Sequence, residues 1–130
     1  MERQLCQLLV VDDEPDMCWM IENALRMLNC TVRGVTHATQ ALELLATEPC
    51  AVALVDAKLP DMDGPELATV IRRQFPDTQV VLISGYYDSE DNAVVEGLHK
   101  NLFAGFITKP FDIEEIRQVV RRAIERSQNR

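Results

Sequence analysis

The sequence predicts an α/β protein built on a doubly wound, five-stranded parallel sheet. Five short apolar runs recur at fairly even spacing, and four are continuous rather than alternating, which indicates strands covered on both faces. Between these runs, apolar residues recur every three to four positions, as in helices that pack one face on a sheet. Strand and helix therefore alternate five times, an order typical of doubly wound parallel sheets.

The predicted strands are residues 8–11, 31–35, 52–55, 80–83 and 103–107. The second run is the most polar, as expected of an edge strand. The predicted helices carry apolar stripes at Met17, Met20, Ile21, Ala24, Leu25 and Leu28; at Ala41, Leu42 and Leu45; at Leu67, Val70 and Ile71; at Val94, Leu98 and Leu102; and at Ile113, Ile116, Val120, Ala123 and Ile124. We interpret these stripes as faces that pack on the sheet rather than against a cofactor.

Turn and capping residues support the same boundaries. Pro15 suits the first turn of the first helix, where its missing N–H costs nothing. Asp63, Gly64 and Pro65 open the third helix, and Asp112 with Glu115 resembles a capping box for the last one.

Composition narrows the functional class. With 130 residues, 47% of them hydrophobic, the chain is expected to form one domain with a sizeable core. A net charge of −8 argues against direct binding to nucleic acid. The polar start and the lack of a long apolar run predict no signal peptide and no membrane contact. The four cysteines lack metal or redox spacing, so we expect reduced thiols and a cytoplasmic location.

Polar side chains that could take part in catalysis or metal binding follow four of the strands. In open α/β sheets, sites form outside the carboxyl ends of the strands. If the strand order is 2-1-3-4-5, strands one and three are neighbours and their acidic residues meet. The residues at these ends are Asp12, Asp13 and Glu14 after the first strand, Asp56 after the third, Ser84 and Gly85 after the fourth, and Lys109 and Pro110 after the fifth.

Each of these residues has a plainer explanation when taken alone. Asp13 could cap a helix, Asp56 and Ser84 could be turn residues, and Lys109 could be a solvated surface lysine. Converging carboxylates, however, repel one another and raise each other's pKa values. A hard divalent cation relieves that repulsion, and a site with few carboxylates and several waters suits Mg²⁺.

Four segments together resemble the receiver domain of two-component response regulators. They are Leu9-Val10-Val11-Asp12-Asp13-Glu14-Pro15, Val55-Asp56-Ala57-Lys58-Leu59-Pro60-Asp61-Met62-Asp63-Gly64, Leu82-Ile83-Ser84-Gly85 and Phe106-Ile107-Thr108-Lys109-Pro110-Phe111. They occur in the family's order and spacing. The resemblance implies a flavodoxin-like fold of strand order 2-1-3-4-5 and one receiver domain over residues 1–130, either complete or the N-terminal domain of a longer regulator.

The resemblance also implies a set of roles. Asp56 would accept a phosphoryl group from a phosphohistidine of a sensor histidine kinase or a histidine phosphotransfer protein. Mg²⁺, or Mn²⁺, would be held by Asp13, Asp56 and the main-chain carbonyl of Lys58, with Asp12 acting through a water molecule. Lys109, before a cis proline, would contact the carboxylate and then the phosphoryl oxygens.

Switching would use Ser84 and Phe106. In the family, the hydroxyl at the position of Ser84 contacts the phosphoryl group, and an aromatic residue on strand five turns inward. Phe106 could equally be a plain core aromatic. The resemblance implies that Lys58 and Tyr86 influence phosphoryl lifetime. Neither is a carboxylate or amide that would position attacking water, so we expect slow self-hydrolysis. A half-life of seconds without a phosphatase would contradict this.

Partner surfaces follow from the same resemblance. Trp19 lies off the buried stripe of the first helix, near where the family docks its phosphodonor, although single exposed apolar residues are normal. The fourth and fifth helices would form a homodimer or effector contact. Arg117, Arg121, Arg122 and Arg126 give the last helix a basic side, which we interpret first as a solvated face. The stretch from Lys100 to Gly105 replaces the family's tight Gly-Ala turn and leaves the end of the fourth helix open.

Two other functions remain open at this point. The chain could be a receiver-like interaction module that is never phosphorylated, although Asp56, Asp13 and Lys109 are all present. It could also be a Mg²⁺-dependent aspartyl phosphatase, but Asp12 and Asp13 are adjacent rather than in the Asp-x-Asp order of such enzymes. We expect a switch that assists its own phosphorylation and dephosphorylation rather than an enzyme.

Overall fold

The computed structural model describes residues 6–85 and 91–128 and contains a five-stranded parallel sheet of order β2-β1-β3-β4-β5. This confirms the predicted fold and strand order. The strands are β1 (Cys6–Val11), β2 (Cys30–Val35), β3 (Val52–Asp56), β4 (Gln79–Ser84) and β5 (Gly105–Thr108).

Helices cover both faces of the sheet. They are α1 (Pro15–Leu25), which continues into a 3₁₀ turn at Arg26–Leu28, α2 (Ala38–Thr47), α3 (Gly64–Gln74), α4 (Asn92–His99) and α5 (Ile113–Gln128). Pro15 stands in the first turn of α1, and Asp63 caps α3 by accepting the Glu66 N–H at 2.8 Å. Asp112 accepts the Glu115 N–H at 2.7 Å and so caps α5, as the sequence predicts.

Two hydrophobic clusters lie on the two faces of the sheet, which explains why the central strands are apolar along most of their length. Residues of α2, α3 and α4 pack on one face, against Val55 and Leu82 among others. Residues of α1 and α5 pack on the other face, against Leu54 and Ile83. Because successive side chains of a strand point to opposite faces, every residue of β3 and β4 is buried. The molecule is therefore a three-layer α/β/α sandwich.

The chain reverses its direction of winding at β1. It first leaves β1 for β2 on one side and later returns to β3 on the other side. Such a switch point leaves a crevice at the carboxyl ends of the two strands on either side of it. The register places Val11 of β1 beside Val55 of β3, so the residues that follow both strands share this crevice.

Some of the predicted details are wrong. Met20, Leu98 and Ile113 belong to predicted buried stripes, yet they are 39%, 38% and 50% exposed. Each lies at the margin of its helix's apolar face, where neighbouring elements do not reach. The fifth strand starts at Gly105 rather than Phe103, because Phe103 turns into the core beneath α4.

Two further observations concern the cysteines and the length of the apolar helices. Cys6, Cys18, Cys30 and Cys50 are all free thiols. Within the described residues, no helix is both long and apolar enough to cross a lipid bilayer.

Candidate functional site

The carboxyl ends of β1, β3, β4 and β5 bring the predicted site residues to one edge of the sheet. Asp12 follows β1 directly, and Asp56 is the last residue of β3. Ser84 ends β4 opposite Thr108, so Lys109 comes one residue beyond that pair. The parallel register therefore places all four side chains at the same level of the sheet.

Three carboxylates converge there and form what we call the acidic end, with Lys109 as its cation. Oxygens of Asp12, Asp13 and Asp56 all lie within 4.8 Å of one another. Asp12 and Asp56 are 1% and 8% exposed, whereas Asp13 is exposed to solvent. Oxygen donors in this number and this close together fit a hard divalent cation such as Mg²⁺, whose charge would offset their repulsion.

Lys109 joins two of these carboxylates. Its Nζ lies 2.9 Å from Oδ2 of Asp12 and 3.3 Å from Oδ1 of Asp56. Burial alone lowers the pKa of the Lys109 ammonium, but the hydrogen bond to Asp12 and the charges of Asp12 and Asp56 outweigh it, and the pKa is raised. Lys109 is therefore a permanent cation at neutral pH, and its shortest contact is to Asp12 rather than Asp56.

Burial and neighbouring negative charge disfavour the ionised form of Asp56. Burial, followed by the charge of Asp12, raises its pKa to about 6, while Lys109 lowers it and Asp13 adds a smaller increase. The group is still mostly ionised at neutral pH. An ionised carboxylate beside an ammonium, with little water around it, is a suitable nucleophile toward a phosphoryl group.

Asp12 is fixed by its own neighbours. Its Oδ1 accepts the N–H of Glu14 at 2.9 Å, and its Oδ2 accepts Lys109. Its main-chain N–H reaches the carbonyl of Val35 at 3.1 Å on the edge strand. Asp12 is thus a rigid, nearly solvent-free member of the site.

The loop after β3 folds back against the site. Lys58 pairs with Asp63 in an isolated bridge, and the Gly64 N–H donates to the Ala57 carbonyl at 2.7 Å. A Cβ on Gly64 would stand 2.5 Å from the Asp56 carbonyl oxygen, so only glycine allows this approach. The sequence predicts that Gly64 lies at the start of a helix, but it does not predict this contact.

Asp61 is a further residue that the sequence reading missed. Its carboxylate accepts the N–H groups of Ala38 at 2.9 Å and Thr39 at 3.0 Å, which lowers its pKa. It thereby caps α2 from a different loop and ties the loop after β3 to that helix. The sequence contains one sign of this contact. His37 stands at the N-cap of α2, where Ser, Thr, Asp or Asn is usual, so a cap from another part of the chain could be expected.

Ser84 and Phe106, the two predicted switch residues, lie on the neighbouring strands β4 and β5. Ser84 is 1% exposed at the end of β4, and its carbonyl accepts the Lys109 N–H at 2.8 Å. Phe106 on β5 is half-buried and packs against the cluster on the α2, α3 and α4 side. The peptide bond between Lys109 and Pro110 is cis. Tyr86 lies outside the described residues.

One residue of the predicted solvated basic side of α5 lies elsewhere. Arg117 is half-buried and its Nε donates to the Ala24 carbonyl at 2.8 Å, so it ties α5 to α1 instead of forming a solvated basic side. Trp19 on α1 is 66% exposed, as predicted.

The unusual stretch after α4 also has a structural explanation. Asn101 adopts a left-handed conformation with φ of 60°, and the N–H groups of Leu102 and Phe103 donate to the Gly97 carbonyl. A Cβ on Gly97 would lie 2.2 Å from the Phe103 ring. Gly97 therefore makes room for a buried phenylalanine before β5.

Comparison with known proteins identifies the family of the chain. The sequence model of the response regulator receiver domain matches residues 8–121. Response regulator protein PilR of Pseudomonas aeruginosa is 37% identical over 116 residues, covering 89% of this chain and 25% of PilR. DNA-binding transcriptional regulator NtrC of Proteus hauseri is 34% identical over 115 residues, covering 88% of this chain and 24% of NtrC. The chain thus spans about a quarter of the length of these relatives.

A solved structure has a similar fold. The signal receiver domain of an HD domain-containing protein from Pseudomonas fluorescens Pf-5 has a TM-score of 0.87 and 28% identity, covering 99% of this chain and 93% of that one. The fold and site define a signalling switch rather than an enzyme in the usual sense. The chain belongs to the response regulator receiver domain family.

Proposed function

We propose that Asp56 accepts a phosphoryl group in a Mg²⁺-dependent reaction and that this event switches the domain. The observation that carries the proposal is the position of the Lys109 Nζ, 2.9 Å from Asp12 and 3.3 Å from Asp56, beside three converging carboxylates. Phosphoryl transfer depends mainly on positioning and on neutralising charge. Lys109 provides a fixed charge at the oxygen that would bond to phosphorus.

The residues at the acidic end fit Mg²⁺. Asp13 and Asp56 would ligate it with the main-chain carbonyl of Lys58, and Asp12 would stand behind them. Mn²⁺ prefers the same oxygen donors. When bound, the cation supplies positive charge that balances both the carboxylates and the phosphoryl oxygens.

The donor is proposed to be a phosphohistidine on a sensor histidine kinase or a histidine phosphotransfer protein. An Asp56 carboxylate oxygen bonds to phosphorus, the phosphorus–nitrogen bond breaks, and the imidazole leaves with the electron pair. Lys109 keeps its proton and hydrogen-bonds to the new phosphoryl oxygens. Later attack of water on phosphorus restores the carboxylate and releases phosphate.

The switch is proposed to begin at Ser84. Its hydroxyl can donate to a phosphoryl oxygen on Asp56, because β3 and β4 are neighbours. Movement of Ser84 would open space for the half-buried Phe106 to turn further inward. The fourth and fifth helices, which flank β5, would then pass the change to an effector or to a second copy of the chain.

Trp19 is proposed to contact the phosphodonor protein. It is 66% exposed on α1, the helix that begins directly after Asp12, Asp13 and Glu14. Trp19→Ala should lower the rate of transfer from a phosphohistidine protein relative to the rate from acetyl phosphate. An unchanged ratio would remove Trp19 from the donor interface.

The setting is proposed to be the cytoplasm, where four free thiols would stay reduced. We treat residues 1–130 as one receiver domain. Because the relatives are about four times as long, we propose that it controls a further effector region and does not itself bind nucleic acid.

The direct test is incubation with acetyl phosphate and Mg²⁺ followed by intact mass spectrometry. We expect one added phosphoryl group in the wild-type chain and none in Asp56→Asn. Asp16→Asn, which changes an exposed carboxylate in the first turn of α1, is the matched control and should still gain the group. No adduct in the wild type would favour a silent interaction module, and sustained release of phosphate would favour a phosphatase.

A further inference from the structure

A second polar site lies at the opposite end of β4 from Ser84. A cavity of about 180 Å³ is lined by Arg72 of α3, Gln79 at the start of β4, Asn101 after α4 and Arg126 of α5. We call it the arginine pocket. Its four residues come from four different parts of the chain and meet only through the fold.

The two arginines of this pocket have no acidic partner within residues 6–85 and 91–128. Among the described residues, neither Arg72 nor Arg126 forms an ion pair. Their hydrogen bonds are to neutral oxygens, from Arg72 to the Pro76 carbonyl at 3.4 Å and from Arg126 to the Asn101 side chain at 3.2 Å. The chain has 21 acidic and 13 basic residues. Composition therefore does not explain a pocket that is lined by two arginines and by no carboxylate of the described residues.

Gln79 adds a third hydrogen-bonding residue to the lining of the pocket. The residue is 8% exposed, and its main-chain N–H donates to the Ala51 carbonyl at 2.9 Å. Its side chain lines the pocket and makes no hydrogen bond to any residue of the described part of the chain. Among the described residues, the only buried side-chain polar atom without a partner is Oε1 of Gln7, so the Gln79 amide is reached by solvent and is available to a ligand in the pocket.

Asn101 holds one arginine in place. Its left-handed backbone, with φ of 60°, ends α4 and brings its Oδ1 to the Arg126 guanidinium. That contact involves one terminal nitrogen of the Arg126 guanidinium, and Arg126 also lines the pocket. The planar donor fork of arginine matches the oxygens of phosphate and carboxylate groups.

We propose that the arginine pocket binds an oxyanion, a phosphate or carboxylate group, through the guanidinium groups of Arg72 and Arg126 and the side-chain amide of Gln79. Each residue donates N–H groups, so the ligand must be rich in acceptors and negatively charged. The site is separate from the acidic end, where three carboxylates would repel an anion. The inference therefore does not depend on phosphorylation of Asp56.

The test follows the side-chain amide of Gln79 by ¹H–¹⁵N NMR in the metal-free chain. Its signal is assigned by its loss in Gln79→Met. Inorganic phosphate and, in a second arm, acetate are titrated at constant ionic strength set with sodium chloride. We expect a saturable shift of the Gln79 signal with an apparent Kd on the order of 1 mM.

Matched variants separate specific binding from general charge. Arg72→Gln and Arg126→Gln should each weaken the apparent Kd by about 10-fold, the effect of one charge-assisted hydrogen bond. Arg73→Gln and Arg122→Gln change exposed arginines of the same two helices outside the pocket and should alter it by less than about 2-fold. Asn101→Gly keeps the left-handed backbone and removes only the contact to Arg126, so a loss of about 3-fold is expected.

The outcomes decide both the site and its ligand. Tighter binding of phosphate assigns the pocket to a phosphate group, and tighter binding of acetate assigns it to a carboxylate. A linear, non-saturating shift, or equal weakening by the Arg73 and Arg122 variants, would overturn the proposal. Backbone spectra of each variant show whether it is folded, and the Asn101→Gly variant retains both charges if either arginine variant is unstable.

Discussion

The two ends of β4 carry opposite kinds of charge. At the end with Ser84, three carboxylates converge and Lys109 pairs with two of them. At the end with Gln79, Arg72 and Arg126 line one pocket, and no carboxylate of the described residues lines it. The acidic end is the more deeply buried, since Asp12 is 1% exposed while Arg126 is open to solvent. Like charges gathered at a sheet edge oppose folding, and a ligand of the opposite sign relieves that cost. The acidic end should therefore respond to mutation and to ions far more strongly than the arginine pocket.

The largest effect is expected when the cation of the acidic end is removed. Lys109→Gln should slow phosphorylation by acetyl phosphate by about 10²-fold or more, as expected for loss of a fixed charge at the reacting oxygens. It should also destabilise the metal-free chain by about 3 kcal/mol, because Asp12 and Asp56 lose their partner. Urea unfolding and intact-mass kinetics measure the two effects. Lys100→Gln, whose 3.9 Å ion pair is exposed, should change neither appreciably; equal effects in the two variants would contradict the account.

Backbone packing beneath the acidic end gives the next effect. Gly64→Ala places a Cβ 2.5 Å from the Asp56 carbonyl oxygen and 2.8 Å from the Ala57 Cα, and neither backbone atom can move independently. We expect a loss of about 3 kcal/mol in urea unfolding. Gly85→Ala is the matched control, since its Cβ would meet Lys109 at an ordinary 3.6 Å. Similar losses in the two variants would show that Gly64 is not specially constrained.

Metal binding should stabilise one end of the sheet only. At about 100 times its Kd, Mg²⁺ should raise the free energy of unfolding by about 2.7 kcal/mol. Asp13→Asn should lose most of this gain, whereas Asp16→Asn should keep it. Unfolding curves with Mg²⁺ or with chelator give the comparison, and a gain that survives in Asp13→Asn would place the ion elsewhere.

A smaller effect concerns the charge of Asp56 in the metal-free chain. Because folding raises its pKa from 3.8 to about 6, the folded state binds the proton more tightly than the unfolded state. Below about pH 4 the carboxyl is protonated in both the folded and the unfolded state, so it does not affect the free energy of unfolding. Between about pH 4 and pH 6 it ionises mainly in the unfolded state, so the free energy of unfolding falls as the pH rises. Asp56→Asn should remove this slope and stabilise the metal-free chain by about 2 kcal/mol at pH 7. A variant less stable than wild type at pH 7, measured with chelator present, would show that Asp56 is not held against repulsion.

The sequence predicts most of the fold because the relevant signals are local. Continuous apolar runs identify buried parallel strands, and the residues that follow them identify the acidic end. The strand order, which the family resemblance implies, then brings Asp12, Asp56 and Lys109 together. Exact burial at helix margins, as at Met20 and Ile113, depends on neighbouring elements and is not encoded locally.

The contacts that sequence reading missed join residues far apart in the chain. Asp61 caps α2 from the loop after β3, and Arg117 donates a hydrogen bond to a carbonyl of α1. The arginine pocket is of the same kind, since Arg72 and Arg126 meet only because α3 and α5 end near the start of β4. Such contacts depend on three-dimensional packing and leave no periodic pattern.

The most direct test of the central claim locates the phosphoryl group itself. The chain is phosphorylated with acetyl phosphate and Mg²⁺ and then treated with borohydride, which reduces an aspartyl phosphate to homoserine. Peptide mass spectrometry then identifies the altered residue. The account predicts homoserine at position 56 in the wild type and none in the Mg²⁺-free control. Homoserine at position 12 or 13, or at no position in a chain that has gained a phosphoryl group, would contradict it.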